Sequence, residues 1–160
     1  MSKLPKSKKP KPKRIVVKKG DIFKIELGNK THCYAHICEK PLVIFYDYNG
    51  SNDLDLSEIT ELKILFKIWV YKYVPQTENW SRIGNLFSNE LNIEPYFYKK
   101  DPISGELYLY HSEFSETNYE RKTTIKEIQG LERAAVWAES HVEDRLRDHY
   151  ANEPNRWLEN

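Results

Sequence analysis

Five histidines, two cysteines and several close pairs of carboxylates are the side chains of this 160-residue chain that could do chemistry. His32 and His36 stand four apart, a spacing that puts two metal ligands on one face of a helix. They fall in THCYAHIC, however, which has the pattern of a strand. Four strand residues span about 13 Å, and zinc ligands each lie about 2 Å from the metal. The two rings therefore cannot share an ion without a sharp bend. His141 and His149 are eight apart in a helical pattern, about 12 Å along the axis. His141 shares a helix face with Asp144 and Arg145, but two ligands do not make a site. No metal and no cofactor are expected.

Cys33 and Cys38 are an odd number of residues apart on the same expected strand, so they point to opposite faces and do not pair. A thiol nucleophile would need His32 or His36 reaching it across a neighbouring strand. The reading that needs least is that both thiols are small core fillers. Asp53 with Asp55, and Glu143 with Asp144, are carboxylate pairs of the kind that acidic loops and helix faces carry without catalysing anything. There is no Gly-rich phosphate loop and no GxSxG turn. No catalytic residue is expected.

Recognition is the chemistry that remains. Trp137 is followed by His141, Asp144 and Asp148 at helical spacing, an aromatic residue with acids around it. Tryptophan is over-represented among binding hot spots. Against this stands the plainer reading that Trp137 packs under a loop at a helix edge and the acids are solvated.

The elements that must position these groups are mostly strands. GDIFKIEL alternates, with Phe23, Ile25 and Leu27 on one face and Ile22, Lys24 and Glu26 on the other. Gly28, Asn29 and Lys30 make a turn, and THCYAHIC returns. LVIFYDY after Pro41 is a continuous apolar run, expected to be buried on both faces. DLSEITEL suits a short helix, with Asp55 as N-cap and Glu58 completing a capping box. KILFKIWVYKYV is a long strand with Ile64, Phe66, Ile68 and Val70 on one side and Trp69, Tyr71 and Tyr73 on the other. Residues 75–100 read as irregular, with Trp80 pinning a loop to the core. A hairpin turns at Pro102 and Gly105, and TTIKEI adds a last strand. The stretch from 131 to 150 reads as one amphipathic helix. Its core stripe is Leu131, Ala135, Ala138, Val142 and Leu146, and Asn152 takes the left-handed position after its end. The expected fold is α+β: a mainly antiparallel sheet or partly open barrel with one long C-terminal amphipathic helix.

Length suits one domain. Aromatic residues must fill its core, since there are 11 Tyr, 6 Phe and 4 Trp but one Met. The net charge of +1 hides an asymmetry. Nine of the 25 basic residues lie in 1–19, which hold no acid, leaving 16 against 24 acids in the rest, a balance of −8. Residues 1–19 are expected to form a disordered basic arm, either solubilising or in weak contact with nucleic acid, and 20–160 a single domain. The acidic body disfavours nucleic acid as the main ligand and favours a basic partner. No apolar run approaches the ~20 residues of a membrane span, and no apolar segment follows the basic start. The cytoplasm is the expected location, with no role for the membrane.

Taken together, GDIFKIELG, LVIFYDY, LFKIWV at 65–70, the Trp80 to Gly84 loop, YKKDPISGELYLY at 98–110 and GLERAAVW…HVEDRLRDHY resemble the immunity protein 26 family of bacterial polymorphic toxin and contact-dependent inhibition systems. The resemblance runs from about 20 to 157. It implies a mostly β protein that binds and neutralises a cognate toxin domain, a basic nuclease being one candidate, and so protects the producing cell. Family-like positions are Gly20, Asp21, Asp47, Trp80, Gly84, Glu132, Trp137, His141 and Asp144. Several of these can be structural: Gly20 and Gly84 as backbone devices, Asp21 bracing a turn, Asp47 closing a strand. The toxin-facing candidates are Trp137, His141, Glu143, Asp144 and Asp148 on the helix, and Asp53, Asp55 and Glu58 before and on the short helix. The family name has also been linked to a small phosphotriesterase, which would need metal-activated water. An RNA-binding β-barrel using tyrosines and the basic arm is a third class.

Overall fold

The computed structural model describes residues 16–71 and 78–158. Tyr73 and most of the basic arm lie outside the described residues. The chain forms β1 Asp21–Gly28, β2 Thr31–Ile37, β3 Leu42–Tyr46, α1 Leu56–Thr60, β4 Ile64–Val70 and β5 Trp80–Asn85. A 3-10 turn at Asn89–Asn92 follows, then β6 Phe97–Lys100, β7 Leu107–Tyr110, β8 Glu120–Thr123, β9 Glu132–Arg133, β10 Val136–Trp137 and α2 Glu139–Tyr150. The strands make a six-stranded sheet in the order β10-β4-β3-β2-β1-β5 and a four-stranded sheet in the order β8-β7-β6-β9. Both sheets are mixed, because β10 runs parallel to β4 and β9 parallel to β6. The architecture is α+β, with two open sheets and one C-terminal helix.

The alternation of β1 decides where the cores lie. Phe23, Ile25 and Leu27 join Cys33, Ala35, Val43, Phe45, Phe66, Ile68 and Trp80 on one face, closed by Val142 and Leu146 of α2. Ile22 joins Tyr34, Cys38, Ile44 and Tyr46 on the other face, closed by Ile59 of α1, Leu91 and Phe97. The large sheet is thus covered on both faces, which is why β3 is buried at all five positions and reads as an unbroken apolar run. The β1–β2 hairpin turns through Asn29 and Lys30 at φ 53° and 60°. Positive φ at both central residues is the geometry that matches strand twist in a two-residue hairpin.

Five expectations are corrected. The C-terminal helix begins at Glu139, not Leu131. Residues 132–137 are held instead by sheet pairing: Ala134 N donates to Tyr98 O at 2.8 Å, and Tyr71 N to Trp137 O at 2.7 Å. Strand partners outside the segment override its helical periodicity. Only Val142 and Leu146 of the expected stripe sit on the helix, both fully buried. Second, 80–85 is not a loop but β5, antiparallel to β1. Third, TTIKEI contributes no strand beyond Thr123, where β8 ends. Fourth, Ile64 faces the second core rather than joining Phe66 and Ile68. The register slips between Phe45 and Tyr46, whose partners are Phe66 and Ile64. An extra residue, Leu65, inverts the side-chain order. Fifth, the folded body starts before residue 20. Val17 is buried in the first core, and Lys18 N donates to Asp21 Oδ2 at 2.8 Å.

Candidate functional site

The histidines and cysteines resolve first. His36 is fully buried, with Nε2 2.8 Å from Leu86 O and Nδ1 2.9 Å from the Tyr46 hydroxyl. A carbonyl only accepts, so Nε2 carries the proton and Nδ1 accepts from Tyr46. Burial holds its pKa below the ordinary value. His32 Nε2 lies 2.9 Å from the Tyr34 hydroxyl. Both rings are buried. Cys33 and Cys38 are buried in opposite cores. Burial pushes both thiols up, Cys38 to about 11, which makes them poor nucleophiles. Among the described residues no three His, Cys, Asp or Glu side chains gather as metal ligands would.

Most family-like positions have structural partners. Asp21 is buried and accepts from Lys18 N and, at 3.0 Å, from Asn85 Nδ2, so it braces the turn before β1. Gly20 at that turn has φ +93°, and a Cβ there would lie 3.0 Å from Asn85 Oδ1. Gly84 lets Leu56 approach, for a Cβ would meet Leu56 Cδ1 at 2.6 Å. Asp47 is exposed and accepts from the Tyr150 hydroxyl at 3.1 Å, tying the end of α2 to the end of β3. Trp80 packs in the first core, where its buried indole N–H has no partner among the described residues. Glu132 pairs with Arg145. The Arg145 guanidinium lies 3.8 Å over the Phe66 ring and 5.0 Å from that of Trp137. Trp137 therefore packs against the first core beside a cation, in a strand rather than under a loop or on the helix face.

Three acids of α2, Glu143, Asp144 and Asp148, are occupied from within the chain. Glu143 is buried and accepts from Asn79 Nδ2 at 2.7 Å, so its carboxylate faces inward. His141 stacks on Trp157 with ring centroids 3.5 Å apart. Trp157 Nε1 donates to Asp144 Oδ2 at 3.2 Å, and Asn155 Nδ2 donates to Asp148 Oδ2 at 2.8 Å. Arg147 lies 3.7 Å from Asp144. The chain's own segment after α2 thus covers this face. It is held in place by a reversal of direction at Asn152, at φ 55° as expected. Asn152 N bonds to His149 O and Glu153 N to Asp148 O, the paired bonds of a left-handed helix stop. The covering role of Asn155 and Trp157 had no signal in the sequence beyond the presence of an aromatic residue near its end.

The acids around α1 are differently placed. Asp53, Asp55, Glu58 and Glu61 are all exposed. Asp53 accepts from Lys24 Nζ at 2.8 Å, which holds its carboxyl below the usual range and raises the lysine. Glu58 Oε1 accepts from Asp55 N at 3.2 Å, the expected helix-starting contact. Asp55, Glu58 and Glu61 make no ion pair with a described residue. A shallow groove of about 350 Å³ runs beside them, lined by Tyr34, Leu54, Leu56 and Ile83 as well as Lys24, Asp53 and Asp55. Ile83 was missed by reading 80–85 as a loop.

The body is thus α+β with both faces of its large sheet filled, its thiols and three of its histidines (His32, His36 and His111) buried, and a groove beside α1 bordered by acids. The family model for Immunity protein 26 matches residues 18–109. The chain belongs to the immunity protein 26 family. The matched stretch covers β1 to β6, α1 and all but the last residue of β7, whereas Glu132, Trp137, His141 and Asp144 lie beyond it. No curated protein and no solved structure gives a significant match. No helix among the described residues is long and apolar enough to cross a membrane.

Proposed function

We propose that this protein neutralises the toxin domain of a polymorphic or contact-dependent inhibition system by binding it, without chemistry of its own, in the cytoplasm of the producing cell. Family membership carries the reading. The surface supports it, because the chain beyond residue 19 has a balance of −8 and complementary charge speeds association and rejects wrong partners. A basic toxin, such as a nuclease, fits that charge. Of the two acidic faces, the one around α1 fits a partner better. Its Asp55 and Glu58 make no ion pair with a described residue, while Asp144 and Asp148 already hold Trp157 and Asn155.

The test is co-expression. Cells producing the toxin domain encoded beside this gene should survive only when this protein is present. The purified protein should hold no stoichiometric metal and hydrolyse no phosphotriester, with or without added zinc. Bound metal together with turnover lost in His141→Ala would replace inhibition with hydrolysis.

A further inference from the structure

We propose that the outer edge of β5 is where the toxin docks, by adding an extended basic segment to the large sheet; this rests on the immunity reading above. Among the described residues β5 ends the six-stranded sheet with no strand beyond it. Such an edge presents unpaired backbone N–H and C=O groups, the template for strand addition.

The four sheet ends are not equivalent. β9 and β10 are two residues each, too short to offer a ladder. β8 carries Glu120, Arg121 and Lys122 in its four residues, the charge density that keeps an edge from pairing. β5 is the longest at six residues, with one charge, Arg82. That charge is already engaged, since Arg82 Nη1 donates to Val16 O at 3.2 Å and lies 3.5 Å from Asp21 Oδ2. Ser81, Arg82, Ile83 and Asn85 are exposed.

The partner's chemistry follows from what flanks the edge. The register of β5 on β1 skips Ile83, between Ile22↔Gly84 and Phe23↔Arg82. The bulge leaves Ile83 39% exposed on the groove it shares with Leu54, Leu56, Asp53 and Asp55. Phe87, just past the strand, is 64% exposed. Apolar side chains beside the Asp55 carboxylate, which makes no ion pair with a described residue, suit a strand bearing both apolar and Lys or Arg residues. The bulge also distorts the edge, so an arbitrary flat strand pairs poorly with it and a matched one is selected.

The experiment is hydrogen exchange on the full chain, free and bound to the catalytically inactivated toxin domain of the adjacent gene, with affinities measured alongside. The amides of 81–85 that point away from β1 should exchange freely in the unbound protein and slow at least tenfold in the complex, whereas those bonded to β1 are protected in both. Ile83→Lys should weaken binding tenfold or more with thermal unfolding unchanged, and Asp55→Lys with Glu58→Lys should weaken it as much while lowering the unfolding midpoint, because the cap of α1 is lost. A complex that protects 139–150 instead, and binds the variants like wild type, overturns docking at this edge while leaving neutralisation intact. Amides in 81–85 that are protected before toxin is added, and released by deleting residues 1–15, assign the edge to the basic arm and also overturn it. Failure to form any complex removes the parent reading with it.

Discussion

His36 sits with no exposure between two strands, and its partners accommodate only the neutral ring well. Its folded pKa lies below the ordinary 6.5, chiefly through burial and despite the nearby Asp21 carboxylate. The unfolded chain therefore binds more protons in the window below 6.5, and stability must fall with pH there. His36 contributes fully above pH 6.5, and the contribution is lost as pH drops through 6.5 toward the lowered value. The unfolding midpoint should decline between pH 7.5 and 5, and His36→Gln should flatten that decline even if it lowers the midpoint overall. An unchanged slope would assign the pH dependence to other groups. Glu132 gives a second residue-scale prediction. Arg145 is mostly buried, Glu132 is its carboxylate partner, and one guanidinium nitrogen has no hydrogen bond among the described residues. Glu132→Ala should cost about 2–3 kcal/mol, below the range for a fully buried pair because Glu132 keeps some exposure. Chemical denaturation measures it, and a loss under about 0.5 kcal/mol would show that the pair is merely superficial.

At the scale of elements, the legible ones were those whose local signal agreed with their surroundings. β1, β2 and α1 carry their alternation, turn and capping residues within a few positions of each other, and all three form where expected. The stretch 131–138 was illegible because its helical spacing is real but outcompeted. Hydrogen bonds to β6 and β4, more than thirty residues away, take its backbone first. β5 was missed because Ser81, Arg82 and Asn85 face water and the bulge at Ile83 breaks the alternation. The same limits explain the candidate site. The exposed acids by α1 could be named from composition and capping, whereas the occupation of Asp144 and Asp148 depends on a chain reversal that brings Asn155 and Trp157 back. Two predictions belong here. Asp144→Lys with Asp148→Lys should release the segment after α2 and cost about 1–2 kcal/mol, with little effect on toxin affinity. Leu146→Asp, which places a charge in the first core, should instead unfold the domain. A tenfold loss of affinity in the folded double variant would return α2 to the binding surface. At the N-terminus, deleting residues 1–15 should leave the unfolding midpoint unchanged. Deleting 1–18 also removes buried Val17, worth about 2 kcal/mol, and should lower the midpoint by roughly 4–8 °C. Equal midpoints for the two truncations would mean that Val17 contributes nothing to the core.

For the whole molecule, the division of charge is the organising fact. A basic stretch of nineteen residues precedes a body with an excess of eight acids, and Asp53 and Asp55 share a groove with Ile83 of β5. Both faces of the large sheet are closed by α2, α1 and the second sheet, so edges and loops are what it can offer a partner. A protein that acts by occupying a toxin must do so stoichiometrically. The most direct measurement is a titration of this protein into the purified, active toxin domain of the adjacent gene, following toxin activity and complex formation together. The account predicts that activity falls linearly to its floor at one equivalent, with a one-to-one complex formed over the same range. Toxin activity that is unchanged at tenfold excess, or that disappears at a small fraction of an equivalent as turnover would require, would contradict it.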